Sequence, residues 1–235
     1  MKYQKYQKYQ VTILYEDKDL LVCVKPAGTA SQTKKSGQPD MVSLLCNYRH
    51  EKGEEPYAGL VHRLDQPVEG ILVFGKHTRS TAALNRQLQQ GIFSKGYLAV
   101  TEGEMPQMEG ELRDFLIKDG RANRSFVGKQ GQPQAKLARL RYQVLKTDQG
   151  CCPVQNLVKI HLLTGRHHQI RVQMAHLGTP LAGDGKYGNA APAAGLGLCA
   201  CELEFVHPSE NRAMKFAITP SQPVFQRFGS IWGAC

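Results

Sequence analysis

Short apolar runs rich in β-branched residues recur along the chain, among them VTIL at 11–14, LLVCV at 20–24, ILVF at 71–74, YLAV at 97–100 and LVKIHLL at 157–163. Runs of this length, set between turn residues, read as strands. Helical spacing is scarcer. Met41, Leu44, Leu45 and Tyr48 follow Asp40, which can cap them. A second helix is expected from Thr78 or Ser80, with Leu84 and Leu88 on one face and an end at Gly91, and RHHQIRVQMAHLG reads as a short helix closed by Gly178. Strands outnumber helices and do not alternate with them. The expected class is therefore α+β, with a largely antiparallel central sheet flanked by helices.

The first ten residues, MKYQKYQKYQ, repeat a Lys-Tyr-Gln triplet and read as a low-complexity mobile tail too polar to pack. No linker composition follows, so residues 11–235 are expected to form one domain. A polar, glycine-rich stretch runs from Gly120 to Gln134.

With 235 residues and 41% hydrophobic content the chain can bury a full core. Lys plus Arg number 30 against 20 Asp plus Glu, a net charge of +10. That excess points to a polyanionic partner, nucleic acid first and an anionic membrane surface second. No apolar run approaches the roughly 18 to 20 residues that cross a bilayer, and the N-terminus lacks a signal-peptide core, so a soluble cytoplasmic protein is expected. The seven cysteines are odd in number and form no C-x-x-C pair, which fits neither a disulfide framework nor a zinc ribbon. Cys199 and Cys201 point to one face of a strand and read as reduced packing residues.

Three stretches concentrate unusual polar residues at the ends of apolar runs: HRLD at 62–65, SKGYLAV at 94–100 and LLTGRHHQIRVQMAHLGTPLAGDGKYG at 162–188. In the first, Asp65 sits two residues after Arg63 in a polar island between Leu60-Val61 and Ile71–Phe74. A loop held between rigid elements carries chemistry more often than packing does.

The ordered set VKPAG (24–28), HRLD (62–65), Lys95 and Tyr97, GRHHQIR (165–171), HLGTPLAGDGKYG (176–188) and LEFVHP (203–208) resembles the RluA-type pseudouridine synthase family. The resemblance implies a pseudouridine synthase catalytic domain with a central cleft, isomerising uridines in RNA without a cofactor. It also implies Asp65 as the catalytic carboxylate, Tyr97 as the active-site tyrosine and Arg171 as the partner of the aspartate. Arg63 would fill the space left by the flipped nucleotide, and His62, Arg166 and His168 would contact substrate RNA. Many relatives carry an additional RNA-binding domain of the S4 type. About ten residues precede the first strand here, so the catalytic domain is expected to act alone, as a monomer, on transfer RNA or 23S ribosomal RNA.

The chemistry of these residues fits. Moving a ribose from one ring atom of uracil to another calls for a nucleophile that holds the sugar or base while the ring turns. A carboxylate serves when ionised, and a neighbouring arginine keeps it ionised in a drier site. A tyrosine supplies a flat stacking face and a hydroxyl for the final proton removal from carbon 5. His167, His168 and His176 lack H-E-x-x-H spacing, and adjacent helical histidines would point to different faces, so no metal is expected. Where the family shows a Thr-Ser-Gly-like segment this chain has Val68, Glu69 and Gly70. Glu69 near RNA would repel phosphate unless turned away, and it opens a rival reading as the second carboxylate of a glycosidase-like hydrolase. A non-catalytic RNA-binding module would share the positive charge but would not require Asp65, Tyr97 and Arg171 together.

Overall fold

The computed structural model describes residues 4–6, 11–33, 37–188 and 195–229. In chain order the elements are β1 (Gln4–Tyr6), β2 (Val11–Glu16), β3 (Leu20–Lys25), α1 (Met41–Glu51), β4 (Gly59–Leu60), β5 (Glu69–Gly75), α2 (Thr78–Gln89), β6 (Ser94–Glu102), β7 (Glu109–Asp119), β8 (Arg124–Gly128), β9 (Lys136–Asp148), β10 (Gln155–Leu162), α3 (Gln169–His176), β11 (Leu198–Val206) and β12 (Ala213–Ala217), before a 3-10 turn, Pro223–Phe228. The α+β class with antiparallel strand pairing is as the apolar runs imply.

The chain forms two compact units, Met1–Lys95 with Ala200–Ile218, and Gly96–Cys199 with Thr219–Cys235. Two of the crossings between them, at Lys95–Gly96 and Cys199–Ala200, fall inside β6 and β11. A crossing inside a strand leaves no Pro/Gly-rich linker to read in the sequence.

In the first unit β1, β2, β3, β5 and β11 lie side by side, with β4 on β5 and β12 on β11. The pairs β2–β3 and β3–β5 are antiparallel, with Lys25 opposite Gly70 and Leu20 opposite Gly75. β5 is buried along its whole length, which explains its unbroken apolar run. Leu20, Val22, Ile71, Val73, Leu84, Phe205 and Phe216 form the core beneath α2. Asp40 caps α1 by accepting from the Ser43 N–H at 2.8 Å, while Ser43 Oγ accepts from the Asp40 N–H at 3.0 Å. Of the expected tail, Gln4–Tyr6 pairs antiparallel with β2; the other tail residues and Cys235 lie outside the described residues.

In the second unit the order is β6-β10-β9-β7-β8, with the β10–β6, β10–β9, β7–β9 and β7–β8 pairs antiparallel. Along β9, Ala138, Leu140, Tyr142 and Val144 are buried while the residues between them are more open. The glycine-rich stretch from Gly120 contains a strand, β8, which the sequence does not announce. Cys23, Cys199 and Cys201 are buried thiols. Among the described residues no helix is long and apolar enough to cross a membrane.

Candidate active site

In the first unit, the turn carrying Asp65 is anchored from two sides. Ser31 Oγ donates to the Leu64 carbonyl at 2.9 Å and accepts from the Leu64 N–H at 3.0 Å. Lys25, at the end of β3, donates from Nζ to the carbonyls of Pro26 (3.0 Å), Thr29 (2.6 Å) and Gln66 (3.0 Å). Gly28 N–H also donates to the Gln66 carbonyl at 2.9 Å, and its φ of 86° is open to glycine at no steric cost. The Val68 N–H donates to the Asp65 carbonyl at 3.0 Å and closes the turn. Asp65 is half-buried and Arg63 is exposed.

The Lys25 ammonium is fully buried. Burial pushes its pKa down to about 8, against the upward pull of the Asp65 and Glu69 carboxylates. It is still charged at neutral pH, a cation held beside the Asp65 turn by carbonyl dipoles on three sides. Glu69 is 5% exposed at the start of β5, which withdraws it from solvent.

His62 takes a different place from Arg63. It is buried, with its ring edge-on to Phe93 at 6.1 Å, and Phe93 stacks on Phe205 at 5.4 Å. Burial, and then the charge of Lys95, push its pKa down to about 3. A neutral imidazole in the core packs; it offers no cation to a phosphate.

In the second unit, Tyr97 stands on β6 opposite Ile160 of β10 and is buried. Arg171, on α3, donates from Nε to Asp184 Oδ2 at 2.8 Å and from Nη2 to Asp184 Oδ1 at 2.7 Å. The pair is buried on both sides, and Asp184 also accepts the N–H groups of Lys186 (2.9 Å) and Tyr187 (3.1 Å). Burial raises the Asp184 pKa, but the Arg171 bonds and the backbone donors outweigh it, and the carboxyl lies below its usual range. This two-point pair fixes the plane of the guanidinium. The Arg171 and Arg124 guanidiniums lie 5.2 and 5.4 Å from the Tyr187 ring centre.

The Tyr187 hydroxyl accepts from the Ser125 N–H at 2.8 Å and lies 2.7 Å from His168 Nδ1. Burial, with the nearby charges of His167, Arg171 and Lys186, lowers the His168 pKa to about 3. The expectation that His167 and His168 face apart is corrected. Both precede the helix; His168 is its N-cap at φ 55°, and the two rings stack at 3.8 Å. His167 lies 2.9 Å from Ser125 Oγ, and His176 lies 3.0 Å from Asp114. Arg166 donates to the Leu137 carbonyl at 2.9 Å from an exposed position. Thr164, Gln169, Gln173 and Asp114 form a hydrogen-bonded ladder behind α3.

Sequence reasoning singled out Asp65, Tyr97 and Arg171 but not the groups that hold them. Lys25 ends an apolar strand, LLVCVK, which is the signal that a buried ammonium has a job there. Asp184 and Tyr187 sit in a glycine-rich turn that reads as purely structural.

Residues 19–176 match the model of the family described as RNA pseudouridylate synthase. The chain is 33% identical over 201 residues to the uncharacterized RNA pseudouridine synthase YhcT of Bacillus subtilis, covering 85% of this chain and 65% of that protein. It is 29% identical over 228 residues to the ribosomal large subunit pseudouridine synthase C of Buchnera aphidicola, covering 92% of this chain and 69% of the relative. It thus spans about two thirds of the length of these relatives. The fold matches human RNA pseudouridylate synthase domain containing 1 with a TM-score of 0.73 at 22% identity, over 89% of this chain and 83% of the other. With four of the six ordered motifs lying inside the matched segment, the chain belongs to the RNA pseudouridylate synthase family.

Proposed function

We propose that this protein isomerises uridine to pseudouridine in structured RNA, transfer RNA or large-subunit ribosomal RNA, with Asp65 as the nucleophile. The observation that carries this reading is the half-buried Asp65 on a turn whose backbone Lys25 and Ser31 pin, a carboxylate within electrostatic reach of a buried cation. A preorganised charge of this kind favours the charge that develops on a ribose or base in the transition state. The target nucleotide leaves its stack to reach the carboxylate. The bond between ribose carbon 1′ and uracil N1 breaks, the ring turns, and carbon 1′ bonds carbon 5. The proton of carbon 5 departs while N1 gains one, so the RNA keeps its mass. Tyr97 stacks on the uracil and takes part in that proton removal. Exposed Arg63 stacks against the RNA left behind.

The test is purified protein on transfer RNA and large-subunit ribosomal RNA, with pseudouridine mapped and RNA mass measured. Pseudouridine at discrete sites without mass change is expected, and its loss to background in Asp65→Asn with RNA binding retained. Loss of uracil from the RNA would identify a hydrolase instead. Turnover by Asp65→Asn would remove Asp65 as the nucleophile.

A further inference from the structure

The Asp65 turn lies at the start of β5. At the other end of that strand, where Gly75 faces Leu20, the β2–β3 turn, one face of α2 and the segment after β11 enclose a cleft of about 670 Å3. Lys18, Asp19, His77, Arg79, Arg86 and Ser209 line it. Arg79 and Arg86 are seven residues apart on α2, two helical turns, and so share a face with a rise of about 10 Å between them.

Charge pairing in this unit sets the cleft apart. Arg49, Lys52, Lys76, Arg212 and Lys215 each meet a glutamate within 3.0 Å. Among the described residues, Lys18, Arg79 and Arg86 have no hydrogen-bonding or salt-bridging side-chain partner. The one acid in the lining is already engaged. His77 accepts the Ser80 N–H at Nδ1 (3.2 Å), so in the neutral ring Nε2 carries the proton and donates to Asp19 Oδ1 at 2.8 Å; Ser209 Oγ donates to the other carboxylate oxygen. Three cations around one occupied carboxylate leave a net positive cleft, and guanidinium forks suit phosphate oxygens.

We propose that this cleft binds a backbone phosphate of the substrate RNA at a distance from the flipped uridine. The proposal rests on the RNA-modifying function argued above. Six steps along β5, at roughly 3.3 Å each, put the cleft about 20 Å from the Asp65 end of the strand, far enough for the stem beyond a target loop rather than the loop itself to reach it. The phosphates it holds belong to the stem flanking the target loop, and the contact reads shape rather than sequence.

Two hairpin RNAs test it, one with a uridine-containing loop on a stem of about twelve base pairs and one cut to about four. For the triple variant Lys18→Ala/Arg79→Ala/Arg86→Ala on the long hairpin, Kd is expected to rise about tenfold at low salt, and the slope of log affinity against log salt to become shallower by about 0.7 to 0.9 for each phosphate lost. The short hairpin should bind wild type and variant alike, and the charge-keeping Arg79→Lys/Arg86→Lys should keep the wild-type salt slope on the long hairpin. Unchanged Kd and slope for the triple variant on the long hairpin overturn the proposal, as does an equal loss on the short one. Inorganic phosphate, followed by chemical-shift changes at the cleft, separates the sources. Phosphate binding abolished by the triple variant while long-hairpin binding is untouched assigns the cleft to a free phosphorylated ligand and overturns its assignment to RNA. Wild type that forms no pseudouridine yet binds the long hairpin through these residues would sink the enzymatic reading and leave the cleft standing.

Discussion

Lys25 carries its charge where burial opposes it, and the three carbonyls it bonds belong to the two segments that frame Asp65. Its folded pKa of about 8 lies below the ordinary 10.5. Between those values the unfolded chain holds the additional proton, so this residue makes stability rise with pH across that window. Lys25→Met lacks the effect. The stability of wild type minus that of Lys25→Met is therefore expected to grow from pH 8 to 10.5 by roughly 3 kcal/mol at most, read from urea denaturation of both proteins. A difference independent of pH would show that Lys25 is not a desolvated ammonium. Tyr187 is the matching case in the second unit, since its hydroxyl serves Ser125 and His168 at once. Tyr187→Phe keeps the ring between two guanidiniums but strips a buried N–H of its acceptor, at a cost of about 1 to 3 kcal/mol in a thermal melt. An unshifted melt would mean that solvent or a neighbour replaces the hydroxyl.

At the scale of elements, β5 joins the Asp65 turn to the core, and Gly70 is where it is most confined. Its φ is 153°, and a Cβ there would come within 2.4 Å of the Ala200 side chain and 2.6 Å of its carbonyl oxygen. Gly70→Ala combines a disfavoured backbone with a backbone clash, so a loss of about 3 kcal/mol is expected, with impaired pseudouridine formation because the adjoining Asp65 turn moves. A melt within a degree of wild type would show that β5 yields without cost. Two of the strands that escaped notice in the sequence, β7 and β8, are half-exposed. EGELRDFLIKD alternates charged and apolar residues from a poor start, and β8 gains its partner only once β7 is in place. Their pairing is a tertiary outcome of weak local preference.

For the molecule as a whole, the net charge of +10 is the broadest prediction of all. RNA affinity should fall as salt rises, with a slope of about −0.7 per phosphate neutralised on single-stranded or loop RNA, more than tenfold between low and moderate salt for several contacts. Filter binding over a salt series measures it, and flat binding would remove charge as the main source of affinity. That charge is divided into cations satisfied by glutamates and cations left to solvent, and the second group meets RNA without first giving up a partner. The division appears in the folded chain: Lys76 and Arg79 are three residues apart in sequence, yet one is buried against Glu16 and the other lines an open cleft.

Periodicity and punctuation in the sequence were enough to place β2, β3, β5, α1, α2 and α3 near their observed bounds, because burial of apolar faces and helix capping act over a few residues. The ordered motifs likewise sufficed for the family. The tertiary structure alone decided which charges are buried and what holds them. That Lys25 binds the Gln66 carbonyl, that Asp184 grips Arg171, that His62 turns into the core while Arg63 next to it stays in solvent, and that His167 and His168 stack ahead of their helix are not local properties. Each depends on groups brought together from separate segments, or on which way a short loop turns its side chains. A hydrogen bond between residues forty positions apart leaves no periodic trace in either segment, and desolvation depends on the packing of the whole unit.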